Sequence, residues 1–151
     1  MTKILNKNSY RVCSGSSFSV EHLALQLEEQ CSQIAFAYLF GSAQDGVIQS
    51  KSDIDIGVYL FDVVNKTRTV LDINRILEEM NISADCDIVF LNDSDSILSF
   101  EVIRGKRLFV RDEALDIYSG YYSLVCREYE SDNYWMKKQL EYRNYEVQWN
   151  N

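Results

Sequence analysis

With 151 residues, 46% of them hydrophobic and 25% charged, the chain has apolar material for a buried core and ordinary globular charge content, which excludes disorder. Its formal net charge of −8 argues against a duplex-tracking nucleic-acid binder, whose affinity rests on Lys and Arg neutralising phosphates. The same balance suits Mg²⁺, a hard cation that seeks carboxylate oxygens.

The first predicted helix runs from Val20 to Ser32, after a Ser-rich loop at Ser14-Gly15-Ser16-Ser17. Val20, Leu23, Ala24, Leu27 and Cys31 recur there at helical spacing. Ile34 to Phe40 is wholly apolar or aromatic, short enough for a buried strand, and stops at Gly41-Ser42. A polar loop, Ala43 to Ser52, leads to Asp53 to Leu60, which alternates as a strand does. Val70, Ile73, Ile76, Leu77 and Met80 define the face of a second helix over Lys66 to Met80. Cys86 to Leu91 is a third strand, Ser94 to Gly105 holds a helix with Gly105 as its stop, and Arg107 to Val110 is a fourth strand. From Glu113 one long helix, or two, carries a stripe at Leu115, Tyr118, Tyr122, Val125 and Tyr129 that Met136 and Leu140 extend. The expected fold is therefore α/β (α+β), a small mixed β-sheet flanked by helices with a long C-terminal helical segment. One domain is expected over residues 1–151, with its core at 20–112 and the helical segment at 113–149.

Cys13, Cys31, Cys86 and Cys126 stand far apart with no CxxC or Cys/His spacing, and are expected as plain thiols. No charged-then-apolar leader opens the chain, and no apolar run nears the roughly 18 residues of a membrane span. The expectation is a reduced, cytoplasmic setting with no membrane or nucleic-acid partner.

The chemistry concentrates in Gly41-Ser42, a ten-residue spacer, and Asp53-Ile54-Asp55. On a strand, Asp53 and Asp55 project from the same face, about 6.5–7 Å apart along the chain. Ile54 and Ile56 then face the core. Like charges so close favour a shifted pKa or a bound cation. Asp87 opens the next apolar strand and lies beside the pair if the two strands are neighbours. Three converging carboxylates make a site for one or two Mg²⁺ ions that clamp the oxygens of a phosphoryl transfer. Asp85, on the same face as Asp87, is a rival third carboxylate. Asp87 is preferred because the unbroken apolar run starts immediately after it. Gly41 at the strand's end lets a phosphate approach the backbone, and the amides and the Ser42 hydroxyl are its donors.

Phe40-Gly41-Ser42 followed by Asp53-Ile54-Asp55 resembles the signature of the DNA-polymerase-β-like nucleotidyltransferases. The ten-residue spacer, the short chain and the tail Ile103-Arg104-Gly105-Lys106-Arg107-Leu108-Phe109 are especially similar to the minimal MntA-type antitoxins of MntA–HepT systems. The resemblance spans about residues 20 to 112. It implies a polymerase-β-like fold, ATP as substrate and two Mg²⁺ ions. It further implies that Asp53, Asp55 and Asp87 bind metal and that Asp87 also takes the proton of the attacking hydroxyl. The implied partner is a cognate HepT-like toxin that receives AMP on a tyrosine. Transfer to a small molecule such as an aminoglycoside, and a non-catalytic antitoxin acting by contact, are the alternatives.

Lys51 either reaches a phosphate or is a solvated loop lysine. Arg104, Lys106 and Arg107 bind triphosphate or partner, or else balance a helix C-terminus. His22, the only histidine, is expected to be structural, so general-base work falls to a carboxylate. Tyr118, Tyr121, Tyr122, Tyr129, Tyr134, Tyr142 and Tyr145, with Trp135 and Trp149, are too many aromatics for one packed face, which points to partner binding by the C-terminal helix.

Overall fold

The computed structural model describes residues 16–49 and 52–150, with the side chains of the last helix described to residue 144. Cys13, Ser14, Gly15 and Lys51, and the side chains of Tyr145 and Trp149, lie outside the described residues. In chain order the elements are β1 (Ser16–Ser17), α1 (Val20–Gln30), β2 (Ile34–Phe40), β3 (Val47–Ile48), β4 (Ile54–Leu60), α2 (Lys66–Glu79), β5 (Cys86–Phe90), α3 (Ser96–Ile103), β6 (Lys106–Val110) and α4 (Leu115–Asn150). Short 3₁₀ turns at Gly41–Ala43, Val63–Asn65 and Asp112–Ala114 join them.

Four strands form a sheet in the order β5-β4-β2-β6, while β1 and β3 form a separate two-stranded ladder. β2 is antiparallel to both β4 and β6, and β4 is parallel to β5, so the main sheet is mixed as the element order predicts. All seven residues of β2 are buried, the consequence of a central strand covered on both faces. On β4 the side chains alternate. Ile54, Ile56, Val58 and Leu60 join Leu23 and Leu27 of α1 and Ile73, Ile76 and Leu77 of α2 in one core cluster. Each such fully buried aliphatic side chain contributes about 1.5–3 kcal/mol of transfer free energy, so this face carries most of the fold's stability. The opposite face packs Phe36, Tyr38 and Phe40 of β2 against Val102 and Ile103 of α3 and Val125 of α4. A register shift between Ile34 and Phe36 breaks the alternation of β2 and turns both Ala35 and Phe36 to this second face.

The helix ends follow local chemistry. The Ser19 hydroxyl accepts the His22 N–H at 3.1 Å and Asp95 accepts the Leu98 N–H at 2.8 Å, capping α1 and α3. α1 closes at Gln30, two residues before the predicted Ser32, because the chain turns there and the Ile34 N–H bonds the Cys31 carbonyl. Arg111 adds donors at this turn, its guanidinium donating to the carbonyls of Glu28 at 2.7 Å, Cys31 at 2.8 Å and Ile34 at 2.6 Å.

α4 departs from the predicted stripe. Tyr118, Val125 and Tyr129 do turn inward, but Tyr121 takes the place expected of Tyr122, and Leu115, Met136 and Leu140 stay exposed. Tyr121 wins because its ring meets Phe36 and Tyr59 and its hydroxyl reaches Ser99 at 3.1 Å. His22 is exposed on the first turn of α1. Cys31 is buried, and Cys86 and Cys126 are half-buried free thiols. Among the described residues no helix is long and apolar enough to cross a membrane.

Candidate active site

One end of the main sheet gathers the residues singled out by their chemistry. The antiparallel pairing sets the C-terminal end of β2 beside the N-terminal ends of β4 and β6, and the parallel pairing aligns the start of β5 with that of β4. Asp55 opposes Phe40 on one side and Asp87 on the other. The condition for a third carboxylate, that its strand neighbour the first, is thus met by Asp87. Asp85 lies just outside β5, where its backbone carbonyl accepts the Ile54 N–H at 2.8 Å. Asp53 immediately precedes β4 and is exposed, as is Asp87, while Asp55 is half-buried.

Gly41 enters the 3₁₀ turn with φ of 76°, a backbone state that favours glycine. A Cβ there would stand 2.3 Å from Asp55 Oδ2, so the missing side chain makes room first of all for the carboxylate. From the motif alone this glycine serves only to admit a phosphate. Ser42, next in the turn, is exposed.

The carboxylates sense one another. Burial, then the charges of Asp87 and Asp53, hold the Asp55 carboxyl above its ordinary pKa. The neighbouring Cys86 thiol is pushed up to about 12 by burial and by Asp87, Asp55 and Asp53, which leaves it protonated and unreactive at neutral pH. None of the three aspartates has an ion-pair partner among the described residues. As they stand, no three His, Cys, Asp or Glu side chains among the described residues converge tightly enough to enclose a metal ion. The donor set itself, oxygen only and mutually repelling, has the chemistry Mg²⁺ prefers. Asp53 and Asp87 are exposed and flank half-buried Asp55.

Two glycines that the motif does not include shape the same corner. Gly57, two residues past Asp55 on the same face of β4, lets α3 lie flush on the sheet, since a Cβ would meet Val102 Cγ1 at 2.4 Å. Gly105 packs on the end of β2, where a Cβ would stand 2.6 Å from the Leu39 carbonyl oxygen. Of the basic cluster, Lys106 opposes Leu39 and Arg107 opposes Tyr38. The Arg107 guanidinium lies over the Tyr118 ring at 5.6 Å, and Tyr118 shares a 2.7 Å hydrogen bond with Tyr38.

Residues 21–114 match the family described as polymerase beta, nucleotidyltransferase. Among solved structures the chain is similar to a chain of a mutant toxin–antitoxin MntA–HepT complex, at 17% identity over 82% of this chain and 97% of that one, with a TM-score of 0.61. It is similar also to a chain of a toxin–antitoxin complex with AMP-PNP, at 20% identity, 80% and 95% coverage and a TM-score of 0.60. A third comes from a Shewanella oneidensis complex of tri-AMPylated HEPN toxin with MNT antitoxin, at 18% identity, 81% and 93% coverage and a TM-score of 0.54. At these identities the likeness shows the fold. No curated protein matches the sequence.

Proposed function

The chain belongs to the polymerase-β nucleotidyltransferase family, and on that premise we propose that it transfers AMP from ATP onto a tyrosine hydroxyl of a cognate HepT-like toxin and neutralises it. The observation that carries this reading is the adjacency of Asp55 and Asp87 across parallel strands, with Gly41 packed against Asp55 and Ser42 next to it in the turn. The company kept by similar chains supports it: toxin–antitoxin complexes, one with AMP-PNP and one with an AMPylated toxin.

In this reaction the acceptor oxygen bonds to the α-phosphorus, the bond to the bridging oxygen breaks, pyrophosphate leaves with that electron pair, and the hydroxyl proton passes to Asp87. The exposed Ser42 hydroxyl and the amides of the 3₁₀ turn donate to the phosphates. Asp53, Asp55 and Asp87 are the residues that would hold two Mg²⁺ ions. Mg²⁺ held there would supply charge neutralisation at the phosphate and ease ionisation of the hydroxyl. A protein acceptor also suits the surface of α4. Tyr134, Trp135, Met136, Leu140 and Tyr142 are all exposed, with Trp135 at 62%, and such side chains anchor protein interfaces.

The test is intact-mass spectrometry of the toxin after incubation with this chain, ATP and Mg²⁺. The expected result is toxin heavier by one or more AMP units, and little product when the toxin is omitted. Toxin that stays unmodified yet neutralised would replace the reading with inhibition by contact. Rapid AMP transfer to an aminoglycoside would replace it with small-molecule modification.

A further inference from the structure

A nucleotide laid over Gly41-Ser42 brings its polyphosphate tail close to three carboxylates, and the repulsion requires cations from the chain as well as from metal. Two residues at this sheet end have no part in the scheme above. Arg104 is the C-cap of α3 and Lys106 opens β6. Between them Gly105 sits so tightly on β2 that a Cβ would lie 2.6 Å from the Leu39 carbonyl oxygen and 2.8 Å from Phe40 Cβ. That contact pins the Arg104–Lys106 turn against the last two residues of β2, directly before Gly41 and Ser42.

Both cations are weakly held. Among the described residues Arg104 meets Glu101 at 3.9 Å and the Phe100 ring at 5.9 Å, Lys106 meets Glu21 at 3.9 Å, and their side chains are 62% and 51% exposed. Exposed ion pairs of this length are weak and exchange readily for a more highly charged anion. Arg107 differs, since its guanidinium donates to the Tyr118 hydroxyl at 3.5 Å as well as lying over that ring. The other described cations sit on α2, under the C-terminus of α1, or on α4.

We propose that Arg104 and Lys106 are the polyphosphate-binding residues, gripping the β- and γ-phosphates of ATP from either side of the β2 terminus. The proposal rests on the nucleotidyltransferase reading, and a binding experiment separates the two. Calorimetry would compare Mg-ATP with AMP on wild type, Arg104→Ala, Lys106→Ala, the double variant and Arg107→Ala, in about 0.15 M salt so that distant charges are screened. Each single change should weaken Mg-ATP about tenfold, the worth of one lost charge-assisted hydrogen bond, and the double about a hundredfold. AMP, which lacks the β- and γ-phosphates, should bind all variants within about twofold of wild type. Arg107→Ala removes the same charge from the same strand and should leave both ligands unchanged. Full Mg-ATP affinity in the double variant would overturn the proposal. So would equal losses for AMP and ATP, or an equal loss in Arg107→Ala, which would mean only a diffuse field. Wild type that binds AMP but not Mg-ATP also overturns it, and wild type that binds neither overturns the nucleotidyltransferase reading with it.

Discussion

The two faces of the main sheet are built from the same strands and do different work. Toward α1 and α2, β4 presents Ile54, Ile56, Val58 and Leu60, all fully buried among aliphatic side chains. Toward α3 and α4 the alternate residues are Asp55, Gly57 and Tyr59, with Asp53 just before them. The surroundings there are aromatic: Phe36 stacks on Tyr59 at 4.9 Å and meets Tyr118 edge-on at 5.0 Å, while Phe100 stacks on Tyr129 at 3.8 Å. One face holds the fold by apolar burial. The other accepts uncompensated charge at one end, which it can do because the first supplies the stability.

That division can be broken by substitution. The largest effect is expected at Asp87→Asn, which should slow single-turnover AMP transfer by about 10²–10⁴-fold while Mg-ATP affinity stays within about tenfold. Asp85→Asn should leave the rate near wild type, and the reverse pattern would move the base to Asp85. Across the sheet, Ile56→Ala should cost about 2–5 kcal/mol in urea denaturation, because it empties a fully buried site. A cost under about 1 kcal/mol would contradict the assignment of stability to that face.

Smaller effects sharpen the comparison. Gly57→Ala drives a methyl into Val102 Cγ1, 2.4 Å away, and should cost about 1–3 kcal/mol. If the cause is that contact, adding Val102→Ala should recover part of the loss, and strictly additive costs would refute it. The smallest change concerns pH. The folded state raises the Asp55 pKa, so its ionisation opposes folding: the stability linked to this group is full below the ordinary carboxylate pKa of about 4 and is lost as pH rises through the higher folded value. Metal-free Asp55→Asn should therefore keep its melting temperature over that rise while wild type falls. Parallel curves for the two proteins would show that Asp55 does not carry the effect.

Strands β2 and β4 and helix α2 were readable from the sequence because burial leaves a period of two, a solid apolar run or a helical stripe. The aspartates were readable too, since a strand's alternation alone puts Asp53 and Asp55 on one side. The β1–β3 ladder was not, as two residues per strand carry no period. α4 was legible as a helix but not in its packing face, because tyrosines on several sides offer competing stripes and only Phe36, Tyr59 and Ser99 choose Tyr121. Buried Asp72 and Thr69 look like ordinary outward residues of α2. Their partner is Gln33, whose amide reaches them at 3.0 and 3.2 Å from a loop far back in the sequence. The contact of Gly41 with Asp55 needs the strand register, which no local pattern encodes.

The clasp of Arg111 on the end of α1 has a consequence for synthesis. β2 lies between β4 and β6, and β6 leaves the ribosome late, with Arg111 directly behind it. Until then the Glu28 carbonyl at the end of α1 lacks its guanidinium donor, and a wholly apolar strand offers one open edge to any passing chain. Emergence of residue 111 closes both at once, so the nascent chain stays vulnerable to aggregation until β6 has followed the other strands of the sheet out of the ribosome.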